Sequence, residues 1–226
     1  MRHEGPITLP ASEGYTVHAR FWLPDRPAGA VLYLHGIQSH GGWFERSARR
    51  LAEAGFAVLL PDRRGSGRNE RDRGHARRPD QLLADLGEHA RTLLARTGPV
   101  PLHVVGISWG GKLALAVAGR LPQPPASITL VAPGLFPVVD LTPSEKICVG
   151  LRCLTKPRAL FDIPLNDPAL FTETAEGRRF IANDPLRLNR VSAGLLLTSV
   201  RLDRIVGRMG RGPGPCRGSE TLGPRR

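Results

Sequence analysis

Two short apolar runs and a third strand-like run, each closed by a turn-forming loop, limit what this chain can fold into more than any other feature. Ala30-Val31-Leu32-Tyr33-Leu34 ends in His35-Gly36, Phe56 to Leu60 ends in Pro61-Asp62, and Pro101-Leu102-His103-Val104-Val105 ends in Gly106. Unbroken apolar runs of this length are how strands buried on both faces read. Helical patterns lie between them. Trp43 to Ala54 has apolar residues at helical spacing (Phe44, Ala48, Leu51, Ala52) and stops at Gly55. Asp80 to Arg96 places Leu82, Leu83, Leu86, Ala90, Leu93 and Leu94 on one face, with Asp80 positioned to cap the start. Ser127 to Val131 adds another strand. Strands that alternate with helices predict an α/β fold: a mostly parallel central sheet with helices on both faces. Tyr15 to Leu23 alternates instead, and with Ile7-Thr8-Leu9 predicts an antiparallel pair at the start.

The rhythm breaks after residue 132. Residues 133–204 hold helix-like pieces (Glu145 to Leu154, Arg190 to Leu202) separated by proline-containing stretches, and read as an inserted helical lid. Residues 205–226 are dominated by Gly, Pro and Arg without hydrophobic periodicity, and read as a disordered tail. The expected organisation is therefore a core over 1–132, a lid over 133–204 and a tail over 205–226. No apolar run approaches the ~20 residues of a membrane helix. The first ten residues hold no apolar signal core, so a cytoplasmic location is expected. Three scattered cysteines, Cys148, Cys153 and Cys216, form neither a metal-ligand pattern nor a disulfide framework.

The formal net charge of +12 raises the question of nucleic acid. Only Lys112, Lys146 and Lys156 are lysines, and no helix-turn-helix, zinc or RNA-binding signature accompanies the charge. The arginine excess with abundant Gly, Pro and Ala reads as GC-rich coding, and no specific nucleic-acid partner is expected.

The loops at the carboxyl ends of the strands are where such sheets bind ligands. Gly106-Ile107-Ser108-Trp109-Gly110 follows one strand and opens a helical run, Lys112 to Ala118. That context reads as a nucleophile elbow: a serine on a tight strand-to-helix turn, flanked by glycines that avoid clashes. Ser108 is the candidate nucleophile. Acyl transfer needs donors for the developing oxyanion. The amide after the nucleophile, Trp109, and the amide of Ile37 in the His35-Gly36-Ile37-Gln38 loop are the candidates. His35 reads as a loop anchor. Asp62 in Asp62-Arg63-Arg64-Gly65-Ser66-Gly67 reads as a ligand for backbone groups or an arginine, and that loop lacks P-loop spacing.

His35-Gly36, the Asp62-Arg-Arg-Gly65-Ser-Gly67 loop and the Gly106-Ile-Ser-Trp-Gly110 elbow, in this order, resemble the α/β-hydrolase superfamily in its monoacylglycerol lipase, lysophospholipase and serine aminopeptidase-like branch. The resemblance covers roughly Gly5 to Arg204. It implies a serine nucleophile at Ser108, an oxyanion hole from Ile37 and Trp109, a lid after Val131, and small-molecule carboxylic-ester or lipid substrates. Neither metal nor cofactor is implied. The lid resemblance includes the Asp167-Pro168 and Asp184-Pro185-Leu186 stretches.

The family also carries an acid and then a histidine after the lid. Here every histidine (His3, His18, His35, His40, His75, His89, His103) precedes Ser108, and Asp140 is the one candidate stand-in for the acid. The expectation is a truncated or frameshifted member without its final strands and with impaired turnover. The alternative is an inactive remnant or a non-enzymatic binding protein.

Overall fold

The structure, a computed structural model, describes residues 2–135 and 142–209. Its first half is one six-stranded sheet. The strands are β1 (Arg2–Ala11), β2 (Tyr15–Leu23), β3 (Gly29–Leu34), β4 (Phe56–Pro61), β5 (Leu102–Ile107) and β6 (Ser127–Val131), in spatial order β1-β2-β4-β3-β5-β6. β1 pairs antiparallel with β2, and β2 with β4; the β4, β3, β5 and β6 pairings are parallel. The expected antiparallel pair and mostly parallel sheet are both present.

Period-two alternation sends successive residues of the central strands to opposite faces. Ala30, Leu32 and Leu34 of β3 join Ala57 and Leu59 of β4 in one core. Helices α2 (Pro79–Thr97) and α3 (Trp109–Val117) pack there. Val31 and Tyr33 join Val58 and Leu60 in the other, beneath Ala48 and Ala52 of α1 (Glu45–Glu53). All six residues of β3 are buried, which accounts for its unbroken apolar sequence. β6 is the edge strand among the described residues, and Val131 is exposed there.

Two local expectations need correction. Asp80 does not cap α2: Pro79 takes the first helical position, so Arg78 is the N-cap and Asp80 lies inside the first turn. Proline fits that position because its missing N–H has no partner to lose. Asp80 pairs with Arg120 at 2.5 Å instead. The helix expected from Trp43 starts as a 3-10 turn over Gly41–Phe44 before α1.

After β6 the chain forms α4 (Pro143–Thr155), β7 (Leu160–Asp162), α5 (Ala175–Ala182), β8 (Arg190–Ser192) and α6 (Ala193–Met209). A capping box between Thr142 and Glu145 starts α4. β7 and β8 make a small antiparallel pair, so residues 190–192 are strand rather than the expected helix start. α6 packs Leu195 and Leu202 onto the α2–α3 face of the sheet. It runs through Met209, past the tail boundary drawn at residue 205. Asp140 and residues 210–226 lie outside the described residues. None of the described helices is long and apolar enough to cross a membrane.

Candidate active site

Ser108 sits where β5 turns into α3, with φ 51° and ψ −121°. A non-glycine residue in this region costs on the order of 1–3 kcal/mol and persists only where its surroundings hold it. Three backbone bonds do so. Ser108 N–H donates to Val131 O, and Ser108 O accepts from Gly111 N–H and Gly134 N–H, each at 2.9 Å. The elbow glycines are demanded by space. A Cβ on Gly110 would lie 2.4 Å from Leu34 O, and one on Gly106 would lie 2.7 Å from Gly110 O. Ser108 is half-buried, and its Oγ has no hydrogen-bond partner among the described residues.

The loop after β3 meets the elbow at Gly36, where a Cβ would stand 3.4 Å from Ser108 Cβ. Next to it, the Ile37 N–H has no partner among the described residues. The Trp109 N–H is in the same state, at the first position of α3, where helix amides have no intrahelical acceptor. Arg63 sets the direction of the Ile37 amide. Its Nη1 donates to Gly36 O at 3.0 Å and its Nη2 to Ile37 O at 3.1 Å. A trans peptide points its N–H opposite its C=O, so holding Gly36 O on one side aims the Ile37 N–H to the other. His35 assists. Its Nε2 accepts from Arg63 N–H at 2.9 Å, so Nδ1 carries the proton and donates to Gly36 O at 2.8 Å. Burial, with Arg63 adding to it, pushes His35 down to about 3, so this ring is neutral. Arg63 also stacks on the Trp109 ring, 4.8 Å from its centroid. Burial lowers its guanidinium to about 10, and it stays charged at neutral pH. Sequence reasoning passed over Arg63; its one signal was its place directly after the strand-end Asp62.

Asp62 is the ligand for backbone and arginine that the sequence suggested. It is fully buried. Oδ1 accepts from Gly41 N–H at 2.7 Å and from Arg20 at 3.2 Å; Oδ2 accepts from Arg68 N–H at 3.0 Å. This one carboxylate joins both loops that flank the elbow. Asp62→Ala strands the buried Gly41 amide, releases the Arg68 amide and leaves Arg20 with Glu45 alone. Breaking a buried charge network in this way costs about 3–5 kcal/mol. Asp62→Asn keeps one acceptor and is expected to lose less. Urea denaturation of both variants checks this: equal losses, or losses under about 1 kcal/mol, would contradict the placement.

No histidine among the described residues is disposed to take a proton from Ser108. His35 has both nitrogens engaged as above. His40 accepts from Gly42 N–H through Nδ1 and reaches Asp184 through Nε2 at 2.9 Å. His75 bonds Ser192, and His103 bonds Ser127 at the start of β5, the end opposite the elbow. His89 is buried in α2, and His3 and His18 lie on β1 and β2 at the far side of the sheet.

Asp184, in the segment after β6, contacts the loop that follows β3. Its Oδ2 accepts from Trp43 Nε1–H at 2.5 Å as well as from His40. Phe171 and Phe180 stand edge-on to Trp43, with centroids 5.7 and 6.4 Å away. Leu188 N–H donates to Gln38 O at 2.9 Å. α6 is tied to the elbow helix by Trp109 Nε1–H to Ser199 Oγ at 2.9 Å and by the Lys112–Asp203 pair at 2.8 Å.

Comparison with known proteins bears on the fold and the family. The profile described as "Serine aminopeptidase, S33" matches residues 25–208. A monoacylglycerol lipase of Mycolicibacterium smegmatis is 34% identical over 119 residues, covering 50% of this chain and 41% of its own length. The monoglyceride lipase of Homo sapiens is 26% identical over 123 residues, covering 54% and 41%. Against its first curated relatives the match takes in 20% to 41% of their length. Among solved structures, a monoacylglycerol lipase from Paleococcus ferrophilus superposes with TM-score 0.71 at 20% identity, over 85% of this chain and 72% of that one. A soluble variant of the Saccharomyces cerevisiae monoglyceride lipase gives the same score and identity over 92% and 71%. The α/β-hydrolase fold is thereby established.

Proposed function

The chain belongs to the serine aminopeptidase (S33) family of α/β-hydrolases, and from that premise we propose that its site is built for acyl transfer from small carboxylic esters or lipids to Ser108. The carrying observation is the pairing of a strained serine at φ 51° with two unengaged amides, Ile37 and Trp109. A serine held off the backbone presents Oγ to a carbonyl carbon, and the two amides receive the oxygen as it gains charge. The positive end of α3 adds to the same field. Arg63 and His35 act as positioning residues for the Ile37 amide. Residues 133–204, apart from the α6 residues packed onto the sheet, serve as the lid, docked through Asp184. The lipase names of the relatives support an ester, and they extend to this chain as a proposal alone.

Every described histidine being engaged or remote favours a second reading of this chain: a pocket that binds an ester and turns it over poorly. Formation of an acyl-serine from Ser108 needs a base to take the hydroxyl proton, and none of the described histidines is placed to supply one.

A fluorophosphonate tests the site itself, because its adduct at Ser108 places an oxygen in the same amide pair. Prolonged incubation is expected to add one label, located at Ser108 by mass spectrometry and absent from Ser108→Ala. Labelling at another serine, or none at all on folded protein, would overturn the assignment.

A further inference from the structure

A cavity open to solvent, of about 790 Å³, lies away from the elbow, between the Thr155–Arg158 turn after α4, α6 and the loop that leads into α2. Four cations line it from those three segments: Lys156 and Arg158 from the turn, Arg201 from α6, and Arg77 from the loop. Arg158 is already answered by Asp72, at 2.6 Å. The same contact, with Asp72's own burial opposing it, leaves that carboxyl below the usual range. All four side chains are exposed to solvent, and with only Arg158 paired the cavity presents a surplus of positive charge.

The floor supplies a directional donor. His75 lines the cavity and is 7% exposed. Its Nδ1 lies 2.7 Å from Ser192 Oγ, and that oxygen also accepts from Leu195 N–H at 3.1 Å. Ser192 is buried, and a buried hydroxyl gives its proton to an available acceptor. Ser192 thus donates to Nδ1, which leaves the His75 proton on Nε2. That N–H has no partner among the described residues. Burial, together with Arg158, keeps the ring below its ordinary range, so Nε2–H is a neutral donor. Leu197 and Pro157 add apolar wall.

From this convergence we infer that the cavity is a binding site for a phosphate monoester, with the phosphate against the cations and His75 Nε2–H and its organic part against Leu197 and Pro157. Arginine forks match phosphate oxygens in pairs, and a dianion answers more of the surplus than a carboxylate does. The volume falls within the range of small-molecule sites and far exceeds a bare ion. Nucleic acid is disfavoured, since the cations converge on a concavity and no Phe, Tyr or Trp lines it for base stacking.

Isothermal titration with phenyl phosphate, inorganic phosphate and phenol, at constant ionic strength in chloride, tests the inference. Phenyl phosphate is expected to bind saturably, inorganic phosphate more weakly, and phenol not at all. Arg77→Ala/Arg201→Ala, two exposed side chains, is expected to weaken binding by roughly tenfold or more, while Ser108→Ala leaves it unchanged. That last result makes the inference independent of the ester-hydrolase reading. Phosphorus-31 line broadening of phenyl phosphate on the unaltered protein gives the same readout without a variant. Vesicles distinguish the source of the phosphate: retention on phosphatidic acid but not phosphatidylcholine, without binding of phenyl phosphate, assigns it to a lipid headgroup. Absence of binding to both phenyl phosphate and phosphatidic acid vesicles, displacement by chloride at equal strength, or identical binding by the double variant would overturn it.

Discussion

Purified protein is expected to hydrolyse p-nitrophenyl butyrate on the order of 10⁶-fold more slowly than a serine hydrolase with a complete triad. The reasoning concerns the proton. Ser108 Oγ becomes a competent nucleophile only as its hydrogen leaves, and the residue that normally takes it is an imidazole within hydrogen-bond reach. His35 adjoins Gly36, which meets the elbow, yet Nδ1 is spent on Gly36 O and Nε2 on Arg63 N–H. Its buried ring resists protonation down to about pH 3, so in place it is a very weak base. His40 is fixed between Gly42 and Asp184. What remains is an oriented serine and an amide pair, which still give ~10³–10⁴-fold over water. One comparison separates this from a dead fold. Ser108→Ala should keep most of the small residual rate, which the amide pair and binding supply without the hydroxyl. Imidazole added to the buffer should raise the rate of the unaltered protein above that of Ser108→Ala, because it supplies the missing base from solution. Ordinary esterase turnover that vanishes in Ser108→Ala would mean that a base reaches Ser108 after all.

The site was legible in the sequence to the extent that it is local. The elbow is a strand, five residues and a helix, and its glycines announce themselves because a Cβ at Gly110 would strike Leu34 O. The Ile37 loop and Asp62 were legible because each directly follows an unbroken apolar run. What escaped depends on residues far apart in the chain. Asp184 meets His40 and Trp43 across 144 and 141 positions, and no spacing rule links them. Arg64 reaches Asp85 and Ser12 by the same kind of long closure. Arg63 is adjacent to Asp62, yet its action on Gly36 O requires β3 and β4 to lie side by side. Short elements were misread for another reason. β8 is three residues long, too short to show a period, so its apolar content merged with the α6 pattern that follows. Asp80 shows local competition: a residue type favoured at caps lost the position to Pro79, whose ring prefers the first turn.

Acid is expected to destabilise the fold well before its carboxylates titrate. His35 and His89 are buried as neutral rings, pushed down to about 3 and about 4 by desolvation, from 6.5 when unfolded. A histidine whose folded value is depressed contributes fully above the unfolded value. That contribution is lost as pH falls, because the unfolded chain takes up a proton that the folded one refuses. Between pH 6.5 and 5 each ring removes about 1.6 kcal/mol, so the two together remove about 3 kcal/mol. His75, also depressed by burial, adds in the same direction. Against a total stability of typically ~5–15 kcal/mol, that is a large fraction. Melting temperature should therefore drop steeply across this interval. Added salt should restore little, because the penalty is desolvation rather than long-range repulsion. His89 permits the decisive control. Its two nitrogens have no hydrogen-bond partner among the described residues, so His89→Leu removes a buried polar group that forms no bond. The variant should gain about 1–3 kcal/mol at pH 7 and lose roughly half of the pH slope. A melting temperature that stays flat from pH 6.5 to 5 would show that these rings are not held neutral, and would remove the basis for treating His35 as a fixed donor to Gly36.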